Sequence, residues 1–229
     1  MIEEKISGIH NYCDRWCERC HFQQRCDVFH DVKALEAGNF TPFEPSTSNP
    51  WTADVGMNSE MPSEKAEAAK EYRLLEIRTI AHPISARAVE YGNAVRAALQ
   101  IRTPMDMTND PVVAIAWETV QFGALPIRSK SRRAVHELVD AEADDDAVDR
   151  TLDPRGIQSD GNGSAKVARL LIGESIAAWR VLGDPADETP YRTAHMIRLL
   201  RTLDAELHRA FPFCMEFVRP GFDDRGEPP

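Results

Sequence analysis

Beyond residue 63, apolar positions recur every three to four residues, and strand-like alternation is almost absent. The run from Ser63 to Ala81 places Ala68, Tyr72, Leu75 and Thr79 on one side of a helix, with Ser63 as its cap and Glu64 and Glu67 in the first turn. His82-Pro83 interrupts it, because the residue before proline disfavours the α conformation. A second helix starts at Pro83 and runs to about Ile101, presenting Ile84, Ala88, Tyr91, Val95 and Leu99. Asp110-Pro111 opens a third, with Ile115, Phe122 and Leu125 on one stripe; Pro126 should kink or split it, leaving Ile127 to about Val139 as the continuation. Residues 140–163 are acidic, end in glycines and read as loop. Ser164 to Leu182 reads as a helix with Val167, Leu170, Leu171, Ala178 and Val181 apolar, stopped by Gly183. Thr189-Pro190 opens a last helix to about Ala210 carrying Met196, Leu200, Leu203 and Leu207.

The N-terminal part differs. Gln23 through Ala37 predicts one short helix with Val28, Val32 and Leu35 on a face, ended by Gly38-Asn39. The stretch 41–63, with four prolines and no periodicity, reads as a loop or linker. The expected architecture is all-α: an antiparallel bundle of four to five helices over residues 64–219, a Cys-rich metal-binding extension over 1–40, and a frayed tail from 220 to 229.

Composition narrows the function classes. The 229 residues carry 27 Lys and Arg against 37 Asp and Glu, a formal charge of −10. Residues 1–115 hold 12 basic and 17 acidic side chains and residues 116–229 hold 15 and 20, so each half is −5 and neither offers a basic tail for nucleic acid. No apolar run is long enough to span a membrane. Met1 to Lys5 lacks the apolar stretch of a secretory signal, so a cytoplasmic location is expected.

Four of the five cysteines lie in His10–Cys26, HNYCDRWCERCHFQQRC. Cys13, Cys17, Cys20 and Cys26 have the spacing C-x3-C-x2-C-x5-C, which brings four soft sulfur donors together through local chain alone. Two disulfides fit the count but not a cytoplasmic chain, and chance clustering of free thiols fits the uneven distribution poorly. A metal site is the favoured reading, and [4Fe-4S] is placed ahead of zinc. Structural zinc usually uses two C-x2-C knuckles, and only Cys17/Cys20 has that form. His10 and His21 flank the motif and could each replace a cysteine, while Arg15, Arg19 and Arg25 could offset thiolate charge.

The last three cysteines resemble the cluster loop of helix-hairpin-helix DNA glycosylases, which implies a [4Fe-4S] cluster but no glycosylase activity on this acidic chain. Cys13, Cys17 and Cys20 also match the C-x3-C-x2-C spacing of radical SAM enzymes, but the alternating strands of their barrel are missing. NYCDRWCERC, together with DGNGSAKVARLLIGESIAAW at 160–179 and FVRPGFD at 217–223, resembles a family of uncharacterised bacterial proteins. That resemblance implies a Cys-rich N-terminus and a helical middle and names no activity; His21 stands where proline is expected in relatives.

Other candidates are weaker. Asp160 to Lys166 could hold an anion at a helix start, with an ordinary Gly-rich turn and a Ser164 cap as the alternative. Glu118 and Glu174 sit on the expected core stripes and need partners there; Arg169, Arg180, Arg198 and Arg201 are candidates. Together with Lys166 they could line an enzymatic pocket. Lys130, Arg132, Arg133 and His136 read as a solvated basic surface or a docking face for an acidic partner. Cys214 is expected in the core. The functional expectation is a redox protein, transferring electrons to a protein partner or sensing oxidation state. The alternative is a zinc-stapled helical interaction module without catalysis.

Overall fold

The computed structural model describes residues 4–38, 63–101, 110–141, 155–183 and 190–223. Among these residues it is all-helical, with six α-helices and no strand: α1 Asp27–Glu36, α2 Ser63–Ala81, α3 Pro83–Ile101, α4 Pro111–Ala141, α5 Asp160–Leu182 and α6 Pro190–Ala210. No helix among them is long and apolar enough to cross a membrane. The stretch 41–62 and the acidic run 142–149 lie outside the described residues.

Prolines and spacing position α2, α3 and α6 as expected. The missing N–H of Pro83 or Pro190 costs nothing in a first turn, where amides have no intrahelical partner. Met196, Leu200, Leu203 and Leu207 of α6 and Ile84, Ala88, Tyr91 and Val95 of α3 are all buried. They share one core with α4 and α5, whose mutual contact is the most extensive in the molecule. The indole N–H of Trp179 donates to the Tyr91 hydroxyl at 3.1 Å, so the largest buried side chain is also hydrogen-bonded. Helix α2 lies at the edge of this core; Thr79 is buried, Leu75 is half-buried, and Ala68 and Tyr72 are exposed.

The structure corrects several local expectations. Helix α4 runs unbroken through Pro126, which is buried. Proline inside a helix costs roughly 3 kcal/mol, and burial of Ala116, Val120, Gly123, Ile127, Ala134 and Val135 along one stripe outweighs that. Ile115 and Leu125 are 53% and 70% exposed, so the stripe expected in the core faces outward. Helix α5 begins at Asp160 rather than Ser164, capped by Ser159, whose Oγ accepts the Asn162 N–H at 3.1 Å. Val181 is exposed, and Trp179 and Leu182 take its place in the core.

The two glycines at the start of α5, Gly161 and Gly163, serve close approach, not turning. A Cβ on Gly163 would overlap the Tyr12 ring and lie 2.7 Å from the Phe217 ring. One on Gly161 would lie 3.0 Å from the Glu137 carboxylate and 3.1 Å from Phe211. Residues 161–168 are buried on every side, because the N-terminal segment and the chain after α6 both lie over the start of this helix. The expected single helix over Gln23–Ala37 is a 3₁₀ turn, Gln23–Arg25, followed by α1, with Cys26 between them as its cap. No residue of α1 is buried, and Val32 and Leu35 are exposed.

Candidate functional site

Residues 4–26 have almost no regular structure, and their path is set by short hydrogen bonds. Three 3₁₀ turns, Ile9–Asn11, Cys17–Arg19 and Gln23–Arg25, bend the chain back on itself. The Gln23 amide donates to the Cys17 carbonyl at 2.6 Å, and the Arg25 Nε donates to the Glu4 carbonyl at 2.8 Å. Arg15 has φ 64, the left-handed region that costs an L-residue roughly 1–2 kcal/mol. It is the one non-glycine residue with positive φ among those described.

These turns bring the predicted ligands together. Cys13, Cys17, Cys20 and Cys26 all line one small cavity, walled also by Ile9, Trp16, Phe29 and Phe222. All four are free thiols and half-buried. The Cys20 sulfur accepts the backbone N–H of Phe22 at 3.4 Å, and the Cys13 thiol donates to the His10 carbonyl at 3.5 Å. N–H groups aimed at sulfur are the kind of outer contact that stabilises a thiolate ligand and tunes a metal centre. Burial pushes the Cys13 thiol up from its ordinary value, opposed by the Arg15 N–H and the Lys130 charge. Burial also raises the Cys17 thiol, and the sulfurs of Cys13, Cys26 and Cys20 add to the shift.

Two observations bear on what this donor set could hold. No three of the His, Cys, Asp and Glu side chains among the described residues are close enough to hold a metal ion. The enclosed volume is about 20 Å³, room for about one water-sized sphere. Of the flanking groups, His10 and Arg15 line the cavity and His21 is exposed. Arg19 lies 3.8 Å from the Trp16 ring and pairs with Glu118, while Arg25 holds Glu4.

The segment docks on the helices through ring contacts and a polar cluster. Trp16 stacks on Phe122 of α4 at 4.4 Å, Tyr12 packs on Phe217 at 4.7 Å, and Phe22 meets Phe222 edge-on at 5.0 Å. Lys130 is buried and donates to the Asn11 carbonyl; burial lowers its pKa to about 8. Arg133 makes two bonds to Asp160, at 2.6 and 2.8 Å, and one to the Asn11 side chain. The Tyr12 hydroxyl donates to Asp160 at 2.9 Å, and burial together with that carboxylate raises its pKa to about 12. Arg132 pairs with Glu76 of α2, and His136 lies near the Tyr72 ring. The stretch 130–136 is therefore no solvated basic face: it clamps the segment and α2.

The remaining candidates separate. Lys166 is buried, donating to the Phe217 carbonyl and to Asp223, each at 2.6 Å. The Gly161 N–H goes to the Glu137 carboxylate, so the start of α5 is occupied by the protein's own acids rather than open to an anion. Glu118 is exposed and paired with Arg19 at 2.6 Å. Glu174 is exposed rather than on a core stripe; partial desolvation and the nearby Asp14 charge raise its pKa, and Arg219 opposes them. Arg169, one of the expected partners, pairs instead with Asp204 at 2.7 Å. Glu118, Glu174 and Lys166 thus have separate surroundings and form no common pocket among the described residues. Cys214 is fully buried, as expected.

Sequence reasoning missed the residues that complete the site. Residues 220–223, expected to fray, are packed: Phe222 walls the cysteine cavity, and Gly221 has φ 78 with its Cα close under Ile6. The aromatic residues of the site, Trp16 and Phe29 of the N-terminal segment, Phe122 of α4 and Phe222 after α6, come from three separate parts of the chain that no local pattern links. Only the outward stripe Glu118–Phe122–Leu125–Ser129, spaced as one helix face, carried a usable signal. No family model, no curated protein and no solved structure matches this chain.

Proposed function

We propose that Cys13, Cys17, Cys20 and Cys26 hold one [4Fe-4S] cluster and that the protein has a redox role, passing electrons to a protein partner or sensing oxidation state. The observation that carries this reading is that all four sulfurs line one cavity with apolar walls, with the Phe22 backbone N–H on the Cys20 sulfur. A bound cluster supplies one-electron chemistry. The chain supplies four thiolates, an N–H donor to Cys20, and a ring wall that limits water. The same reading includes the antiparallel bundle carrying a metal-binding extension, the cytoplasmic location and the likeness to the family with the NYCDRWCERC motif.

A second reading, zinc in a structural clip, is favoured by the 20 Å³ cavity, which suits one atom better than a cage. In that reading the metal only fixes the segment against the helices, and the protein is an interaction module. Cys13→Ser separates the two. Under the cluster reading the variant loses or shifts a redox couple measured by voltammetry on protein purified without oxygen. A variant whose segment loosens while no redox couple exists in either protein supports the clip.

A further inference from the structure

On the other side of the Arg15–Trp16 wall from the cysteine cavity lies an open groove of about 870 Å³. Its volume falls in the range of small-molecule sites. Its floor is the outward stripe of α4: Phe122, half-buried under Trp16, Leu125, 70% exposed, and Pro126. Such a contiguous apolar floor left open to solvent needs a reason.

The polar rim is mostly basic. On a chain of formal charge −10, the groove is bordered by Arg15, Lys130 and Arg133. Its single acid, Glu118, is already neutralised by Arg19 at 2.6 Å. Arg133 is paired with Asp160 and Lys130 is buried against the Asn11 carbonyl, which leaves Arg15 as the exposed cation of the rim. The Arg15 guanidinium has no ion-pair partner among the described residues, and its left-handed backbone sets it at the junction of groove and cysteine cavity. A planar guanidinium with free donors beside an aromatic wall suits a flat acid, which it can bind through two parallel hydrogen bonds.

We propose that this groove is a binding site for a small aromatic acid, its ring system on Phe122, Leu125 and Trp16 and its anionic group at Arg15. The inference goes beyond the redox reading and does not rest on it, since the groove lies outside the four-cysteine cavity. Its position gives a ligand direct contact with the wall of that cavity.

The test uses the full chain as purified and the probe 8-anilinonaphthalene-1-sulfonate, followed by fluorescence titration. N-phenyl-1-naphthylamine, the same framework without the sulfonate, is the neutral control. One saturable site is expected for the anion, about tenfold tighter than for the neutral compound, as one charge-assisted contact implies. Arg15→Gln should weaken the anion about tenfold and leave the neutral compound unchanged, and Arg15→Lys should restore part of the loss. Leu125→Glu, at an exposed helical position, should abolish both without changing the circular dichroism. Equal affinity for the two compounds, no saturable site, or binding indifferent to Leu125→Glu would overturn the proposal. Because Leu125 lies on α4, it decides the matter even if Arg15→Gln loosens the cysteine segment.

Discussion

The helical body and the cysteine segment are stabilised by different physics. In the body, Leu200, Leu203, Leu207, Val135 and Trp179 are buried almost completely, and α3, α4, α5 and α6 share one apolar core. Between residues 4 and 38 only Ile9 is buried. A chain of that size with no core of its own needs another constraint, and in small modules a structural metal commonly provides it. Its hold on the body is through rings and ions: Trp16 on Phe122, Tyr12 over Gly163, Asn11 on Lys130 and Arg133. The body is specified by periodicity, whereas the segment is specified by individual contacts.

The difference is sharpest for a large core deletion. Trp179→Ala should cost about 3–5 kcal/mol, lowering the denaturant midpoint of the whole helical body, because the side chain is buried and hydrogen-bonded to Tyr91. Next comes the junction. Gly163→Ala should cost about 1–3 kcal/mol by overpacking, and its extra methyl must displace Tyr12 or Phe217. Hydrogen exchange should then rise in residues 4–26 while α6 stays protected. Equal exchange in both regions would break the distinction between body and segment.

Lys166→Met tests the tie between α5 and the chain after α6, at a cost of about 2 kcal/mol for hydrogen bonds to a charged partner. This loss should depend on pH. Burial alone would raise the Asp223 carboxyl, but hydrogen bonds from Arg219 and Lys166 outweigh it and hold the group well below the usual carboxylate range. A depressed carboxyl stabilises the fold fully above its unfolded value, about 4, and the contribution falls as pH drops through the folded value. The stability gap between parent and variant should therefore be constant near neutrality and shrink below about pH 4; a gap that widens in acid would contradict the assignment. The smallest effect is expected at Arg19→Ala, about 0.5–1 kcal/mol, since the Arg19–Glu118 pair is exposed on both sides. Urea titration would resolve it.

Much of the body was legible in the sequence for a physical reason. Helices α2, α3 and α6 are long and periodic, and Ser63, Pro83 and Pro190 mark where they begin. Helix α4 misled because it is apolar on two faces: one stripe enters the core, and the other, with Phe122 and Leu125, meets Trp16 and the groove. The start of α5 misled because glycines usually signal turns, and here they admit Tyr12 and Phe217. Lys130 and Lys166 could not be recognised as buried, since their partners, Asn11 and Asp223, are distant in sequence. At the candidate site the four cysteines were visible from spacing alone. The residues that wall their cavity were not, because tertiary packing rather than periodicity brings Phe29 and Phe222 there.

Metal analysis with an absorption spectrum, on protein purified without oxygen, tests the central claim most directly. We expect iron and acid-labile sulfide in equal amounts with broad charge-transfer absorption, lost together in Cys17→Ser. Colourless protein carrying stoichiometric zinc and no iron would contradict the cluster and leave the four cysteines as a structural clip.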